Sequence, residues 1–524
     1  MSLIHNKRRS KKKFHLVFFD LKSAFDMVHH ATLFERLESL QVNPVLIRVI
    51  SSMYSDATFK LKIADGIATK AHPIRNGVRP GCPLSPLLFS LYIDPIATIL
   101  KVAFCSNTYI KDEMINNLLY CDDLVIFGEN PIELQKGLDK VSEFCQSNKL
   151  QINLQKTKVL HCDTHTKPQQ KLLLQGQIIE SVQTYKYLGF HMNTKGNVDT
   201  QAMEINKQCG HPIFFLRKLS AYKAIKYKQL VQFLTAMIDS IVLYASEAWG
   251  AFMTWNLGPW DRSLFERVNF RCCKSILQVS PTTDSIGARS EVGRLPLLYN
   301  IQKRSLRYWA SVSKRPDSVI AKLIDDPAYS DIGISAKMKS STMDNCSFVN
   351  VTKAIKTHKL NFERQFIEYW RQRVNNSSKL NHFYYTFKIT YSTEKYLVVI
   401  DDPTYRKTLA TFRLGNCKLA CETLRTARPK IPYEDRTCPV CQTEVENEVH
   451  FLFKCNWNRY KKIRECFVAE MSKKVQNFND LSAEDKSIYL MVQEDREVTE
   501  RLAQYIIDLS HDREQLRCGT ILRA

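Results

Sequence analysis

Residues 118–127 read Leu-Leu-Tyr-Cys-Asp-Asp-Leu-Val-Ile-Phe, two apolar runs on either side of a pair of adjacent acids. Runs of this length and composition are typical of β-strands, so the stretch predicts a β-hairpin with Asp122 and Asp123 at its tip. Two neighbouring carboxylates between buried strands repel each other and lose hydration, which favours a divalent cation bound by their oxygen atoms. A solvated Asp-Asp turn is the alternative for an isolated pair.

A second apolar run, upstream, favours the cation site over the solvated turn. Leu16-Val17-Phe18-Phe19 is short enough for a fully buried strand, and Asp20 stands where the run stops. A carboxylate at the end of such a strand, facing a hairpin that carries two more, completes a ligand set for two magnesium ions. Two such ions, about 3.5–4 Å apart, activate an attacking oxygen and stabilise a leaving oxygen in phosphoryl transfer.

Three stretches of the chain together resemble one enzyme family. They are Asp20 followed by Ala24-Phe25-Asp26, then residues 76–89 (NGVRPGCPLSPLLF), then Tyr120-Cys121-Asp122-Asp123. In this order they are similar to the palm of the reverse transcriptases of non-LTR (LINE-type) retrotransposons. The resemblance implies an α+β fold, a right-hand polymerase palm with an antiparallel sheet packed on helices. A helical thumb and a small C-terminal zinc-binding region would follow.

The resemblance also implies a reaction and the residues that carry it. The reaction would be RNA-directed DNA polymerisation, in which a DNA primer is extended on an RNA template with deoxynucleoside triphosphates and two Mg²⁺ ions. Asp20 and Asp122 would coordinate the metals, with Asp123 in support. Lys156 would be the acid for the pyrophosphate leaving group; an ordinary surface lysine is the alternative. The nucleotide- and primer-binding residues would be Phe25, where the family blocks a ribose 2′-hydroxyl, and Gly81, Ser85, Tyr120, Leu188 and Gly189.

Two departures from the family pattern support a rival hypothesis. Pro80 stands where the family commonly has glutamine, and proline supplies neither a side-chain hydrogen bond nor a backbone N–H. The predicted palm strand begins at about residue 14, and the family carries a fingers subdomain before this strand. We therefore expect a polymerase that is truncated at its N-terminus. We also expect that it lacks an endonuclease. The alternative is a catalytically inactive nucleic-acid-binding remnant of the same fold. A maturase-like or telomerase-like relative is disfavoured by the cysteine spacing described below.

The composition favours a polyanionic partner. Lys and Arg number 75 against 53 Asp and Glu, which gives a formal net charge of +22 and a pI near 9.3.

No apolar run reaches the roughly 20 residues that span a bilayer, and the N-terminus lacks the apolar core of a secretory signal, so we expect no membrane partner. The basic block within residues 7–13 suits nuclear import or phosphate binding, with a disordered tail as the alternative. We therefore expect a nuclear protein with a cytoplasmic ribonucleoprotein stage.

One group of cysteines has the spacing of a tetrahedral zinc site. Cys438-x2-Cys441 is followed by His450 after eight residues and by Cys455 after four more, the last two expected on a short helix. Four filled ligand positions predict one structural Zn²⁺ ion without hydrolytic chemistry. The group also resembles the Cys-Cys-His-Cys element of LINE-type polymerases. Its basic surface and stacking groups would be Arg436, Lys454, Arg459, Lys461, Lys462, Trp457 and Tyr460.

The remaining sequence suggests the division of the chain. Helical spacing of apolar residues predicts a thumb, and its cations would contact phosphates without reading sequence: Lys207, Arg217, Lys218, Lys223, Lys226 and Lys228. Glu291-Val292-Gly293-Arg294 resembles a recurrent stretch of animal elements of this type, with no chemistry attached to it. Asp65-Gly66 predicts a hairpin turn. The predicted regions are a basic tail (1–13), the palm (14–195), the thumb (196–315), a helical or mixed connection (316–430), the zinc element (431–470) and a helical tail (471–524).

Overall fold

The computed structural model describes residues 1–60, 69–104, 108–162, 171–340, 351–377, 380 and 383–517. Two compact units emerge from the packing of the chain. Unit 1 comprises Met1–Gln201, Ala251–Met253 and Tyr308–Cys346, and unit 2 comprises Ala202–Gly250, Thr254–Arg307 and Ser347–Ala524. The predicted thumb, residues 196–315, is thus divided between the units, and the predicted zinc element lies in unit 2. The predicted turn at Asp65-Gly66 lies outside the described residues.

Strands and helices alternate in the first 200 residues, and helices dominate afterwards, as the α+β prediction requires. The strands are β1 His15–Phe19, β2 Thr58–Phe59, β3 His72–Pro73, β4 Thr108–Ile110, β5 Glu113–Ile115, β6 Asn117–Tyr120, β7 Asp123–Gly128, β8 Lys158–His161, β9 Leu173–Leu174, β10 Gln177–Ile178, β11 Glu180–Val182, β12 Thr184–Tyr187 and β13 Phe190–Asn193. The first helices are α1 Ser2–Arg9, α2 His30–Ser39, α3 Pro44–Ser55, α4 Ser85–Ile93, α5 Pro95–Ala103 and α6 Pro131–Ser147.

The later helices follow β13 in the chain. They are α7 Asp199–Gln208, α8 Gly210–Ser220, α9 Tyr227–Phe233, α10 Ser240–Val242, α11 Ser246–Trp249, α12 Leu257–Asp261, α13 Leu264–Ile276, α14 Ser285–Val292, α15 Leu297–Val312, α16 Val319–Asp325, α17 Gly333–Ser340, α18 Val351–Asn375, α19 Tyr384–Phe387, α20 Lys395–Val399, α21 Pro403–Arg413, α22 Ala420–Thr423, α23 Asn458–Lys474, α24 Ala483–Met491 and α25 Arg496–Arg517. A π-helix, His450–Lys454, precedes α23.

Strand β1 is the centre of a five-stranded sheet in unit 1, with the order β11-β8-β1-β7-β6. It pairs antiparallel with β7 on one side and with β8 on the other. All five of its residues are buried, as the uninterrupted apolar run predicted. Because successive side chains of a strand point to opposite faces, Val17 and Phe19 join one hydrophobic cluster while Leu16 and Phe18 join another. Both faces of the sheet are therefore covered.

Helices α4 and α5 form part of the first of these clusters. The continuous stretch Ser85–Ala103 has the length and apolarity of a membrane span, with a mean hydropathy of 1.4. In unit 1 its side chains Leu88, Phe89, Tyr92 and Ile96 are buried against the sheet. A third of this stretch is buried in the described structure, so core packing accounts for part of its apolar character.

The basic stretch that was predicted as an N-terminal tail contains a packed helix, α1. Ile4 of this helix is buried, and Lys7 forms an ion pair with Glu129 at 2.5 Å. Arg8 donates to the carbonyl oxygen of Thr194 at 2.9 Å. The alternative of a disordered tail is therefore wrong for residues 2–9, because Ile4 and the cations Lys7, Arg8 and Arg9 of the helix contact other residues of unit 1.

Unit 2 is organised by buried ion pairs around the stretch that starts at Glu291. Arg413 donates to Glu291 at 2.7 Å and also pairs with Glu394, and Glu291 has no exposed surface. Burial by itself would raise the pKa of Glu291, but the Arg413 guanidinium outweighs burial and lowers it. Removing one partner of such a pair costs about 3–5 kcal/mol because the other charge stays buried. The recurrent stretch noted in the sequence thus has a structural role.

Candidate active site and metal centre

The structure brings the three predicted catalytic carboxylates together in unit 1. Asp20 directly follows Phe19, which pairs with Leu124, so the antiparallel register of β1 and β7 places Asp20 beside Asp123. Tyr120 pairs with Asp123 at the end of the β6–β7 hairpin, and Cys121 and Asp122 form the tip. Partial burial raises the pKa of Asp123, and the neighbouring charges of Asp122 and Asp20 raise it further. These oxygen donors concentrate negative charge at one sheet end, which fits a divalent cation.

The tip of the hairpin has an unusual backbone conformation. Cys121 adopts the left-handed region with φ of 53°. This region is uncommon for residues other than glycine, and it allows the two-residue connection between β6 and β7. Tyr120 before it is 64% exposed, so its side chain is free to contact a bound nucleic acid or nucleotide, as its predicted role requires.

The segment before β8 is attached to the backbone of Asp20. Asn153 N–H donates to the Asp20 carbonyl oxygen at 2.7 Å, and Asp20 N–H donates to Thr157 Oγ1 at 3.4 Å. Thr157 Oγ1 in turn donates to the Asn153 carbonyl oxygen at 2.9 Å. Within this segment Lys156 Nζ lies 3.9 Å from Asp20 Oδ2, with its side chain 71% exposed. The structure therefore places the predicted acid next to the predicted metal ligands.

The β12–β13 hairpin lies against the same carboxylates. The Tyr185 ring stacks on Phe18 at 4.2 Å, and the Tyr187 hydroxyl donates to the Asp123 carbonyl oxygen at 3.5 Å. Burial raises the pKa of both tyrosines to about 12, with further contributions from the nearby carboxylates. Leu188 and Gly189 form the turn, with φ of 47° and 76°. The predicted primer-binding turn is thus adjacent to the predicted metal site.

Phe25 and Ser85 are fixed by the loop between β3 and α4. The Phe25 ring stacks on Phe89 with centroids 4.5 Å apart, and Val78 N–H donates to the Phe25 carbonyl oxygen at 2.9 Å. The Ser85 hydroxyl is buried and donates to the Arg79 carbonyl oxygen at 2.6 Å. Gly81 has φ of 74° and open space around it. The hydrogen bond of Ser85 thus stays within the loop. In the described part of the chain, neither Ser85 nor Gly81 contacts the carboxylates.

The four predicted zinc ligands form a compact cluster in unit 2. The ligand atoms of Cys438, Cys441, His450 and Cys455 all lie within 4.8 Å of one another. Cys438 Sγ is 4.0 Å from Cys455 Sγ, and Cys441 Sγ is 3.4 Å from His450 Nε2. Sulfur atoms bound tetrahedrally at about 2.3 Å from one zinc ion stand about 3.8 Å apart, so the cluster fits a metal of this kind. His450 begins a short π-helix and Cys455 directly follows it, close to the predicted helical placement.

Hydrogen bonds around the cluster fix the orientation of the ligands. Glu444 Oε2 lies 3.2 Å from His450 Nδ1, the ring nitrogen that does not face the cluster. The His450 N–H donates to Asn447 Oδ1 at 2.8 Å. Carboxylate contacts of this kind set the ring orientation of metal-bound histidines and raise their basicity. The site therefore has the outer hydrogen bonds that a metal centre requires.

The surface around the cluster differs from the prediction. Tyr460 is fully buried, with its ring 5.0 Å from that of Trp457, so the prediction that Tyr460 stacks on nucleic acid is wrong. Arg436 donates to the carbonyl oxygens of Cys421 and Ile431, which makes it part of the fold. Tyr460 belongs to the apolar packing of α23, and sequence spacing alone does not tell a stacking ring from a core ring. Arg436 is held instead by carbonyl groups that folding brings near it.

Three of the predicted phosphate-contacting cations of the thumb also have internal partners. Arg217 donates to the carbonyl oxygens of Gln278 and Val279. Lys226 forms an ion pair with Asp401 at 2.5 Å, and Lys223 lies 3.9 Å from Asp402. The sequence did not reveal these partners because they lie 60 or more positions away. The phosphate contacts of Lys207, Lys218 and Lys228 stay predictions.

Several known proteins are similar to parts of this chain. The family model described as "Reverse transcriptase (RNA-dependent DNA polymerase)" matches residues 1–192. An R2 type-1 retrotransposable element Pol polyprotein of Popillia japonica is 28% identical over 203 residues, which cover 37% of this chain and 28% of the relative. The jockey RNA-directed DNA polymerase of Drosophila melanogaster is 28% identical over 184 residues, covering 34% of this chain and 19% of jockey. Apo telomerase of Candida tropicalis is 12% identical, with a TM-score of 0.30 and coverage of 62% of this chain and 54% of the telomerase.

Residues 1–192 are therefore a reverse transcriptase domain, with three carboxylates at the end of its central sheet. The relatives further define it as a domain of the non-LTR retrotransposon type. This confirms the resemblance and the α+β fold predicted from the sequence. The chain spans less than a third of the length of the R2 and jockey relatives, at 28%, 32% and 19%.

Proposed function

We propose that this chain is an RNA-directed DNA polymerase that extends a DNA primer on an RNA template with deoxynucleoside triphosphates. The observation that supports the proposal is the convergence of Asp20, Asp122 and Asp123 at one end of the palm sheet. These carboxylates would hold two Mg²⁺ ions, which activate the primer 3′ hydroxyl and neutralise charge on the triphosphate.

The chain's own residues would divide the remaining work. Asp20 and Asp122 would bind the metals, and Asp123 would support them. Lys156, beside Asp20, would donate a proton to the departing pyrophosphate. Phe25 would exclude a ribose 2′-hydroxyl, and the turn at Leu188 and Gly189 would hold the primer strand next to the carboxylates.

Primer extension on an RNA template with magnesium tests the polymerase. Asp122→Asn keeps the size of the side chain but removes a metal ligand, so product formation should fall by at least about a thousandfold. Asp112→Asn is the matched control, since Asp112 is an exposed acid of the same unit that the proposal does not use. Equal activity of Asp122→Asn and the wild type would refute catalysis at this site. An inactive wild-type protein that still binds RNA would favour the nucleic-acid-binding remnant.

We also propose that Cys438, Cys441, His450 and Cys455 bind one structural Zn²⁺ ion. The support is the mutual distance of their ligand atoms and the outer contact of Glu444 with His450. Metal analysis of the purified protein should find one zinc per chain, and Cys455→Ser should lose it. Cys466→Ser is the control, because Cys466 is an exposed thiol nearby on α23. Retention of zinc in the Cys455→Ser protein would contradict the assignment.

For localisation we propose the nucleus, on the basis of the basic block within residues 7–13. Lys11, Lys12 and Lys13 are exposed, although Lys12 lies 3.7 Å from Glu129, whereas the ion pair of Lys7 with Glu129 is more buried. Replacing the three exposed lysines with alanine should shift a fluorescently tagged chain towards the cytoplasm. An unchanged distribution would reject this block as the import signal.

A further inference from the structure

A groove in unit 2 collects cations that neither the polymerase site nor the metal centre uses. It has a volume of about 860 Å³. The junction of α12 and α13 forms its first side, and the C-terminal end of α18 forms its second side. Three exposed arginines line it: Arg262 and Arg267 on the first side and Arg373 on the second. Arg373 is more than 100 positions from the other two along the chain, so folding brings it to the same groove.

The acids of the groove are already engaged with other residues. Asp261 accepts from the buried Arg289 at 2.8 Å and from the Tyr369 hydroxyl at 2.8 Å. Asp284 caps α14 by accepting from Gly287 N–H at 2.8 Å, and it also accepts from the Ser377 hydroxyl at 3.0 Å. Both carboxylates hold the walls of the groove together, and neither forms an ion pair with the three lining arginines.

The three arginines share one groove, although several other exposed cations of unit 2 also lack a carboxylate partner in the described residues. Within the residues that the structure describes, Arg262, Arg267 and Arg373 form no ion pair and no side-chain hydrogen bond. Some exposed cations of the unit have carboxylate partners, for example Lys226 with Asp401 and Lys395 with Glu494. Three guanidinium groups facing one concave surface repel each other unless an anion lies between them. The lining holds these three arginines against two carboxylates that have other partners, so positive charge remains for an anionic ligand to neutralise.

We propose that this groove binds the phosphodiester backbone of a nucleic acid strand. Guanidinium groups present planar pairs of N–H donors that match phosphate oxygens, and their charge persists at all physiological pH values. Contacts of this kind provide affinity without reading sequence. The groove belongs to unit 2 while the catalytic carboxylates belong to unit 1, so the inference does not depend on the polymerase activity. Its net charge also selects a polyanion over an apolar or cationic partner.

Fluorescence anisotropy with labelled 30-nucleotide RNA and DNA strands tests the groove. The variant Arg262→Gln/Arg267→Gln/Arg373→Gln should lose about tenfold or more in affinity near 100 mM salt. The slope of log K against log salt should become shallower by about two to three, one counterion per lost phosphate contact. A variant with lysine at all three positions keeps the charge but not the paired donors, so it should keep the slope with a smaller loss of affinity.

The control removes the same charge elsewhere in unit 2. Lys226→Gln/Lys395→Gln/Lys418→Gln eliminates three exposed cations that each face a carboxylate, and its affinity should change by less than about threefold. Circular dichroism melting verifies that each variant is folded. Equal losses in the arginine and control variants would overturn the proposal, since net charge alone would then explain binding. Arginine-dependent binding of polyglutamate, with nucleic acid binding unchanged, would also overturn it and would assign the groove to an acidic protein segment.

Discussion

At the scale of single residues, the backbone of Asp20 depends on the segment at 151–157 as well as on its own strand. Thr157 has no exposed surface, and its hydroxyl bridges Asp20 N–H and the Asn153 carbonyl oxygen. The same turn carries Lys156, 3.9 Å from the Asp20 carboxylate. A change in the Thr157 hydroxyl would therefore displace a metal ligand and the proposed acid together.

Thr157→Val tests this positioning role because valine has the shape of threonine without the hydroxyl. One lost hydrogen bond is worth about 1 kcal/mol, so we expect kcat for primer extension to fall about five- to tenfold. The Mg²⁺ concentration for half-maximal activity should rise, with little change in KM for the nucleotide. Thr157→Ser restores the hydroxyl and should restore both values. If valine and serine at this position give the same Mg²⁺ dependence, the hydroxyl has no positioning role.

Phe25 gives a second prediction at this scale, which depends on the proposed polymerase activity. Phe25→Val shortens the side chain that would meet a ribose 2′-hydroxyl, so the preference for deoxyribonucleotides over ribonucleotides should drop at least about tenfold in kcat/KM. Phe89→Leu is the control, because it breaks the same ring stack from the buried side but leaves Phe25 in place. A deoxynucleotide preference that survives Phe25→Val would reject the assigned role.

At the scale of secondary-structure elements, the end of α14 shows how the residues that begin at Glu291 pack together. Gly293 terminates the helix in the left-handed region with φ of 67°, and a Cβ there would lie 2.2 Å from the Thr393 backbone nitrogen. The Glu394 N–H donates to the Glu291 carbonyl oxygen at 2.9 Å. Glycine is therefore required both for the helix end and for the close approach of residues 392–394.

Gly293→Ala should destabilise the protein by about 3 kcal/mol or more, because backbone strain adds to a collision with backbone atoms that cannot rotate away. Gly176→Ala is the matched control, since Gly176 also has a positive φ, 77°, but nothing within 4 Å of an added Cβ. Its cost should be about 1 kcal/mol, from strain alone. Urea unfolding of both variants measures the difference. Equal destabilisation would show that the close approach does not matter.

The prediction from sequence succeeded where a pattern is local. The run at 16–19 and the hairpin around Asp122 were predicted because strand length, apolarity and turn position are encoded within ten residues. The predicted zinc ligands also lie in one short stretch of the chain, so their spacing could be recognised from the sequence. In the structure their ligand atoms converge. The partners of Arg413 and Arg217 lie from 19 to 122 positions away, and tertiary packing alone decides them. The burial of Tyr460 was missed because an aromatic residue among cations suits a core as well as a nucleic acid surface.

At the scale of the whole molecule, the cluster of Cys438, Cys441, His450 and Cys455 is connected to α25, the last described helix of unit 2. Glu446, which lies between the ligands in sequence and is fully buried, accepts from Arg513 of α25 at 2.6 Å. Arg464 of α23 donates to the Cys455 carbonyl oxygen at 3.0 Å. The conformation of the cysteine loop and the packing of the two helices thus depend on each other.

Metal removal should therefore loosen α25 as well as the cysteine loop. Hydrogen exchange of the α25 amides should accelerate about tenfold or more in Cys455→Ser or after chelation, because loss of the ion frees the loop that carries Glu446. The amides of β1 and α6 in unit 1 serve as internal controls and should exchange at the wild-type rate. Unchanged exchange in α25 would show that the helix packs independently of the metal.

The central position of β1 also limits how the catalytic end of unit 1 can move. The strand that leads to Asp20 is hydrogen-bonded along both edges, so sliding it by one residue would break two ladders and turn every core side chain to the wrong face. The register of this strand, and with it the position of Asp20, is therefore fixed as long as both ladders are intact. The β12–β13 hairpin is a separate two-stranded ribbon, so a shift of that hairpin would break neither ladder of β1.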